Sequence, residues 1–262
     1  TDPLEAPGRH AIGLVSQSGA IGNALSGARY EGYSLSHTLT AGNSCDVDIC
    51  DWIAFLAQDP NCKAIACTYE GLVEPERFLH AAQIALRNRK PLVVCRLGKS
   101  ERGSSVAASH TGSIAGSSAA YDALHHAAGV VETDRLENLF EIAQFLAKAG
   151  RPRAPGVGVV STSGGAAVMA ADKAQMHGVP LPQPGPAAQA VLEEVVPEFG
   201  AKSNPCDVTA EAVSRPETLR ACMSAMVADD AYGTVIFPVG QVVRGSFDRI
   251  AMMDEVAAEQ GK

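Results

Sequence analysis

This 262-residue sequence has no long apolar run. Nothing in it approaches the roughly 18 consecutive residues that a membrane-spanning helix requires, which excludes such a helix. Positive charge is also scarce. Lys and Arg number 21 against 29 Asp and Glu, leaving a formal charge of −8. Neither a nucleic-acid arm nor a surface for anionic membranes is therefore expected, because both need clustered cations. Aromatic residues make up 5 % of the chain, with one tryptophan, Trp52, in a helical segment, and this counts against a flavin stacked between rings. The seven cysteines (Cys45, Cys50, Cys62, Cys67, Cys95, Cys206 and Cys222) include no C-x-x-C pair, which weakens zinc and dithiol chemistry. No metal site is expected, and free thiols in a reducing cytoplasm are the simplest account. The first residues, Thr1-Asp2-Pro3-Leu4, lack a basic-then-apolar signal layout and an initiating Met, and read as a processed or cut end.

What is present is the balance of a core-forming globular protein, 46 % hydrophobic and 19 % charged. At about 150 residues per domain, the length allows one to two domains. Short apolar runs predict strands over Ile12–Val15, Leu35–Thr40, Ala64–Thr68, Leu92–Leu97, Val157–Val160 and Thr234–Pro238. Amphipathic segments between them predict helices over Ala20–Tyr30, Asp48–Gln58, Pro75–Arg89, Ser118–Ala127, Leu136–Lys148, Ala166–His177, Ala187–Val196, Glu217–Ala228 and Ser246–Glu259. Strands that are apolar throughout are buried on both faces, and strand–helix alternation then gives an α/β fold with doubly wound parallel sheets. The Gly150–Gly156 stretch, rich in Pro and Gly, is the best linker. It divides the chain into expected domains 1–150 and 151–262.

The most informative pattern is an internal repeat across that linker. Ile12-Gly13-Leu14-Val15-Ser16-Gln17-Ser18-Gly19 returns as Val157-Gly158-Val159-Val160-Ser161-Thr162-Ser163-Gly164, each copy a strand, a small polar turn and an Ala-rich helix. Farther on, Asn43-Ser44-Cys45-Asp46-Val47 is echoed by Asn204-Pro205-Cys206-Asp207-Val208. In the first copy, a helix ending at Arg89 leads into the buried strand Pro91–Cys95, whereas the corresponding helix of the second copy reaches Lys262. The expectation is a second domain truncated at its C-terminus, and a chain that is a piece of a longer polypeptide.

Both Ser-x-Ser-Gly turns fall where a buried strand hands over to a helix. Free amides, the positive end of a helix dipole and small hydroxyls suit a phosphate there, although Ser and Gly also serve simply as cap and turn residues. Neither turn is followed by Gly-Lys-Ser/Thr, so neither is a Walker loop, and no G-x-S-x-G makes Ser18 a hydrolase nucleophile. His110 stands apart among the histidines, in the small and hydroxyl stretch Gly103–Gly116, read as a loop that exposes a nucleophile. His125 and His126, on a helix, read as packed or solvated. Glu70 follows an apolar strand, at the end where open α/β sheets place ligands. A carboxylate there can fix an imidazole tautomer and leave the other nitrogen nucleophilic.

Taken in order, Ser16-Gln17-Ser18-Gly19, Gly42-Asn43 with Asp46-Val47-Asp48, Tyr69-Glu70-Gly71, Gly98-Lys99-Ser100, Ser109-His110-Thr111-Gly112-Ser113 and Ser161-Thr162-Ser163-Gly164-Gly165 resemble the NDP-forming acyl-CoA synthetases. This is the superfamily of succinyl-CoA synthetase and ADP-forming acetyl-CoA synthetase, and the resemblance covers essentially the whole chain. It implies two consecutive flavodoxin-like, succinyl-CoA synthetase-like domains. It also implies an acid–thiol ligase that makes acyl-CoA from a carboxylic acid, CoA and ATP through a phosphohistidine.

By motif match, His110 would carry the phosphoryl group and Glu70 would orient it. The two Ser-x-Ser-Gly turns would open helices whose N-termini face each other across the phosphate, with Asn43, Ser109, Thr111 and Gly112 in support. The resemblance further implies a CoA-binding domain and an ATP-grasp module as partners, in the same polypeptide or in another subunit. No G-x-G-x-x-G precedes Ile12, and no length remains for ATP-grasp. ATP with Mg, CoA and a small carboxylic acid would thus be used by the complete enzyme, with no cofactor held tightly by this chain, and homo-oligomerisation stays open. Two other readings are a flavodoxin-like binding module without chemistry and the acyl-CoA-sensing part of a protein acyltransferase.

Overall fold

The computed structural model describes residues 8–111, 117–239 and 246–260, and within these the side chains of all but 108–111, 213 and 246–248. It divides into two units, residues 1–150 and 151–262. Both are parallel α/β structures of the flavodoxin-like class.

In the first unit, β1 (Ile12–Ser16), β2 (Leu35–Thr40), β3 (Ala64–Tyr69), β4 (Leu92–Arg96) and β5 (Val131–Glu132) form a parallel sheet in the order β2-β1-β3-β4-β5. Every residue of β1, β3 and β4 is buried. Side chains alternate between faces along a strand, and both faces here need apolar cover. Val15, Ile65, Cys67 and Val94 pack with α2 (Ile49–Gln58) and α3 (Pro75–Arg87) through Ile53, Leu56 and Phe78. Their neighbours Ile12, Leu14, Ala66 and Val93 pack on the opposite face with Leu139 and Phe140 of α6 (Leu136–Ala149). Edge strand β2 is only half-buried and carries polar residues, as an edge allows.

Helix α2 begins with a capping box. Asp48 accepts from the Cys50 and Asp51 amides at 2.8 and 3.3 Å, and Asp51 accepts from the Asp48 amide at 2.9 Å. Arg77 of α3 binds both carboxylates, at 2.7 and 2.8 Å, which ties the two helices together.

In the second unit, β6 (Gly156–Ser161), β7 (Cys206–Asp207) and β8 (Tyr232–Ile236) are parallel in the order β7-β6-β8. This is the arrangement of β2-β1-β3. One core gathers Val160, Leu192 of α8 (Pro186–Val195), Leu219, Cys222 and Met226 of α9 (Pro216–Ala228) and Val256 of α10 (Ser246–Glu259). Helix α7 (Gly164–Met176) follows β6, with Ala167 and Ala174 buried.

The structure departs from the sequence expectations at several points. Strands β5 and β7 are two residues long, too short for any periodic signal. The helix expected over Ala20–Tyr30 is α1 (Gly19–Leu25) followed by a 3-10 stretch, Ser26–Glu31, which stops at Gly32 in the left-handed region. The segment read as a loop around His110 is helix α4 (Glu101–Thr111) as far as Thr111. Ser100 starts it, with its hydroxyl accepting from the Gly103 amide at 3.1 Å and its carbonyl from the Ser104 amide at 2.7 Å. Small residues thus extend a capped helix here rather than forming a loop. Helix α5 (Ser118–Ala128) then leads to β5.

The Asn43/Asn204 echo is out of register in space. The Ala41 amide bonds the Ser16 carbonyl at 3.1 Å, and the Val208 amide bonds the Ser161 carbonyl at 2.8 Å. Val208 is therefore the counterpart of Ala41, not of Val47. Thr209, at φ +62°, stands where the first unit has Gly42 at φ +57°. Asn43 is exposed in a turn, whereas buried Asn204 bonds the Val159 amide and the Val157 carbonyl of β6 at 3.0 and 2.8 Å.

Candidate active site at the carboxyl ends of the strands

In a parallel sheet all strands end at one edge, and a ligand crevice opens where successive connections leave in opposite directions. In the order β2-β1-β3-β4-β5 that point lies between β1 and β3. Register pairing sets Ser16 opposite Thr68 and Tyr69 opposite Arg96. The Ser16–Gly19 turn and the Tyr69-Glu70-Gly71 turn therefore flank the crevice, and α4, which contains His110, leaves from the same edge after β4.

Ser16 is fully buried; its hydroxyl donates to the Ser18 carbonyl at 2.7 Å and accepts from the Ser18 amide at 3.2 Å. Ser18 caps α1, accepting from the Ile21 amide at 3.3 Å. Gly19 is exposed, and a Cβ added to it would meet nothing within 4 Å.

Gln17 turns out to have a bridging part that the motif did not suggest. Its carbonyl oxygen accepts from the amides of Glu70 and Gly71 at 2.7 and 3.2 Å, and its NH2 donates to the Gly71 carbonyl at 3.0 Å. The Gln17 amide itself bonds the Thr68 carbonyl at 3.0 Å. One side chain thus spans the crevice and fixes the backbone around Glu70.

The second unit repeats the first turn's internal bonds. The Ser161 hydroxyl donates to the Ser163 carbonyl and accepts from the Ser163 amide, both at 3.0 Å. Thr162 is half-buried, and Ser163, Gly164 and Gly165 are exposed. The surroundings differ, however. A Cβ on Gly164 would lie 3.0 Å from the Asp207 carboxylate, so this turn has an acidic side chain beside it and an added side chain would crowd it.

His110 lies on α4, one residue before its last, Thr111, with Ser109 preceding it; the side chains of all three, and the whole of Gly112, lie outside the described residues. Among the described residues, no group of three or more His, Cys, Asp or Glu is placed to hold a metal ion.

Sequence reasoning missed a buried polar chain next to Glu70. The Tyr69 hydroxyl meets His125 Nε2 at 2.5 Å, His125 Nδ1 meets Glu132 at 2.8 Å, and Lys99 pairs with Glu132 and Asp134. Tyr69 and His125 are almost wholly buried. Burial raises the Tyr69 hydroxyl well above its ordinary range, so it stays protonated. Burial also pushes Glu132 upwards, but hydrogen bonds from Lys99 and His125 outweigh it and hold the carboxyl below the usual range. Helix α5 makes a second contact with the same turn: the Tyr121 hydroxyl accepts from the Leu72 amide at 3.0 Å. The Arg96 guanidinium lies 4.4 Å over the Tyr121 ring and donates to Ser118 at 2.9 Å. Reading His125 as merely packed or solvated hid its partners, because Glu132 reaches it from a two-residue strand.

Residues 9–146 match the family model of the succinyl-CoA ligase like flavodoxin domain. The chain is 36 % identical to "Acetate--CoA ligase [ADP-forming] I subunit alpha" of Pyrococcus furiosus over 216 residues, 80 % of this chain and 44 % of that protein. It is 31 % identical to "Trans-feruloyl-CoA synthase FCS1" of an unknown prokaryotic organism over 235 residues, 89 % of this chain and 33 % of that protein. A solved structure of the dinucleotide forming acetyl-coenzyme A synthetase 1 of Ca. Korarchaeum cryptofilum, in complex with phosphate and ADP, superposes with a TM-score of 0.83 at 28 % identity. That superposition covers 96 % of this chain and 55 % of the solved one. The chain spans less than half the length of either curated relative. With its strand order, its Ser-x-Ser-Gly turns and its Glu70 turn at the switch point, the chain belongs to the succinyl-CoA ligase-like flavodoxin family of the NDP-forming acyl-CoA synthetases.

Proposed function

We propose that this chain is the phosphoryl-carrying part of an acid–thiol ligase that makes acyl-CoA from a carboxylic acid, CoA and ATP, releasing ADP and phosphate. The observation that carries this reading is the Gln17 bridge to the Glu70 turn across the switch point of a family-matched sheet. It fixes the backbone that carries Glu70 beside the turn that the motif marks for phosphate.

The chemistry divides into three balanced transfers. A His110 ring nitrogen attacks the γ-phosphorus of ATP, with ADP leaving. The substrate carboxylate then takes the phosphoryl group, forming an acyl phosphate and freeing His110. The CoA thiolate attacks the acyl carbon, giving the thioester and inorganic phosphate. Glu70 accepts a hydrogen bond from the other imidazole nitrogen and stabilises the positive charge that develops on the ring. Ser16, Gln17, Ser18 and Gly19, and in the second unit Ser161, Thr162, Ser163, Gly164 and Gly165, form the phosphate turns, with Asn43, Ser109, Thr111 and Gly112 in support. The transfers need ATP-grasp and CoA-binding portions beyond the modules present here, in the same polypeptide or in another subunit. The acid is a small carboxylic acid, and the cytoplasm, where ATP and CoA are abundant, is the expected compartment.

The test is a product assay on the protein that contains this chain together with those portions. Supplied with a panel of acids, ATP and CoA, it should form a thioester together with ADP and phosphate. Formation of AMP and pyrophosphate instead would refute the reading.

A further inference from the structure

The Glu70 turn is held from two directions, and only one of them is the Gln17 bridge. From the other side, α5 contributes the Tyr121 hydroxyl to the Leu72 amide at 3.0 Å and His125 Nε2 to the Tyr69 hydroxyl at 2.5 Å. Residues 69–72 are thus pinned on both flanks of Glu70. Each brace is itself braced. Arg96 covers the Tyr121 ring and anchors on Ser118, while His125 Nδ1 is fixed by Glu132, which Lys99 neutralises. Lys99 immediately precedes Ser100, the residue that starts α4. The same chain of bonds therefore runs from the strand end bearing Glu70 to the start of the helix bearing His110.

Resting on the function proposed above, we propose that His125 and Tyr121 are positioning residues for that reaction, acting through the Glu70 turn. The His125 partners define a tautomer. Nδ1–H donates to the Glu132 carboxylate, leaving the Nε2 lone pair to accept from the Tyr69 hydroxyl. With both of its ring nitrogens partnered inside the core, His125 is fixed in one arrangement. Phosphoryl transfer depends on in-line placement, so loosening the turn acts on turnover rather than on nucleotide binding.

Two measurements test this, one on the chain itself and one on the complete protein. In the chain, nitrogen-15 spectra should show a proton on His125 Nδ1, facing Glu132. The Leu72 amide of the Tyr121→Phe variant should exchange about tenfold faster than in the parent or more, the scale of one lost hydrogen bond, with amides of α2 unchanged. In the complete protein, His125→Leu should slow phosphorylation about tenfold with KM for ATP unchanged, and His125→Gln, which retains a polar atom for one partner, should recover part of the rate. Unchanged Leu72 exchange in Tyr121→Phe, or a folded His125→Leu variant that phosphorylates at the parental rate, would overturn the proposal. A parent that carries no label on His110 would instead remove the reaction itself, and the exchange result would then decide the brace alone.

Discussion

Gln17 holds the backbone of Glu70, with its side-chain oxygen 2.7 Å from the Glu70 amide. A residue of one strand-end turn thereby holds the backbone that carries the carboxylate of the neighbouring one. Replacing it should expose how much the crevice depends on that link. Gln17→Leu leaves the Glu70 and Gly71 amides and the Gly71 carbonyl unpartnered by the side chain. Urea unfolding should show a loss of about 1–3 kcal/mol, the cost of orphaned, partly buried polar groups. A stability equal to the parent's would mean that water replaces Gln17 without cost.

Thr209 lies at φ +62° and ψ 168°, a region that is essentially reserved for glycine. Its hydroxyl also accepts from the Glu211 amide at 3.2 Å. Both Thr209→Ala and Thr209→Gly lose that bond, but only glycine relieves the backbone. The glycine variant should therefore be the more stable of the two by about 1 kcal/mol, inverting the usual ranking of Ala over Gly. Thermal unfolding of the pair decides it, and Ala above Gly would contradict the strained geometry.

Asp51 is held below the ordinary carboxyl range, first by the Asp48 backbone amide and then by Arg77, with burial opposing. A carboxyl whose folded pKa lies below its unfolded value contributes stability above the unfolded value, about 3.9, and loses it as pH falls through the folded value. Between pH 7 and pH 3 the parent should therefore lose more stability than Asp51→Asn does. Parallel unfolding curves at the two pH values for both proteins provide the check, and equal losses would contradict the assignment.

The parts of this fold that were legible in the sequence are those where one physical demand leaves a repeated mark. Strands β1, β3 and β4 carry apolar residues at every position because helices cover both faces, and the two Ser-x-Ser-Gly turns are duplicated bond for bond through Ser16 and Ser161. What escaped leaves no repeated mark in the sequence. Strands β5 and β7 are two residues each. The Gly103–Thr111 stretch reads as turn-like, yet Ser100 starts a helix through it. The Asn43/Asn204 echo matches letters but not backbone register, as the shared bonds of Ala41 and Val208 demonstrate. The Ser-Gln-Ser-Gly motif pointed to a phosphate, but the reach of the Gln17 side chain to Glu70 follows only from the pairing of β1 with β3. His125 carried no signal of its Tyr69 and Glu132 partners.

Glu70→Gln keeps the shape of the side chain but removes the charge to which the proposed function assigns the orienting of a phosphorylated imidazole. With the Gln17 and Tyr121 bonds to the surrounding backbone intact, the fold should be retained. Phosphorylation in the complete protein should slow by about 10²-fold or more, the scale of a positioned acid–base partner. An unchanged rate would reduce Glu70 to a turn residue.

The central claim is that His110 carries the phosphoryl group, and labelling tests it directly. The complete protein, incubated with ATP labelled at the γ-phosphate, should take up an acid-labile, base-stable label. That label should be absent from His110→Ala and present at the parental level in His126→Ala, a change at an exposed histidine of α5. Labelling of His110→Ala to the parental level would contradict the account.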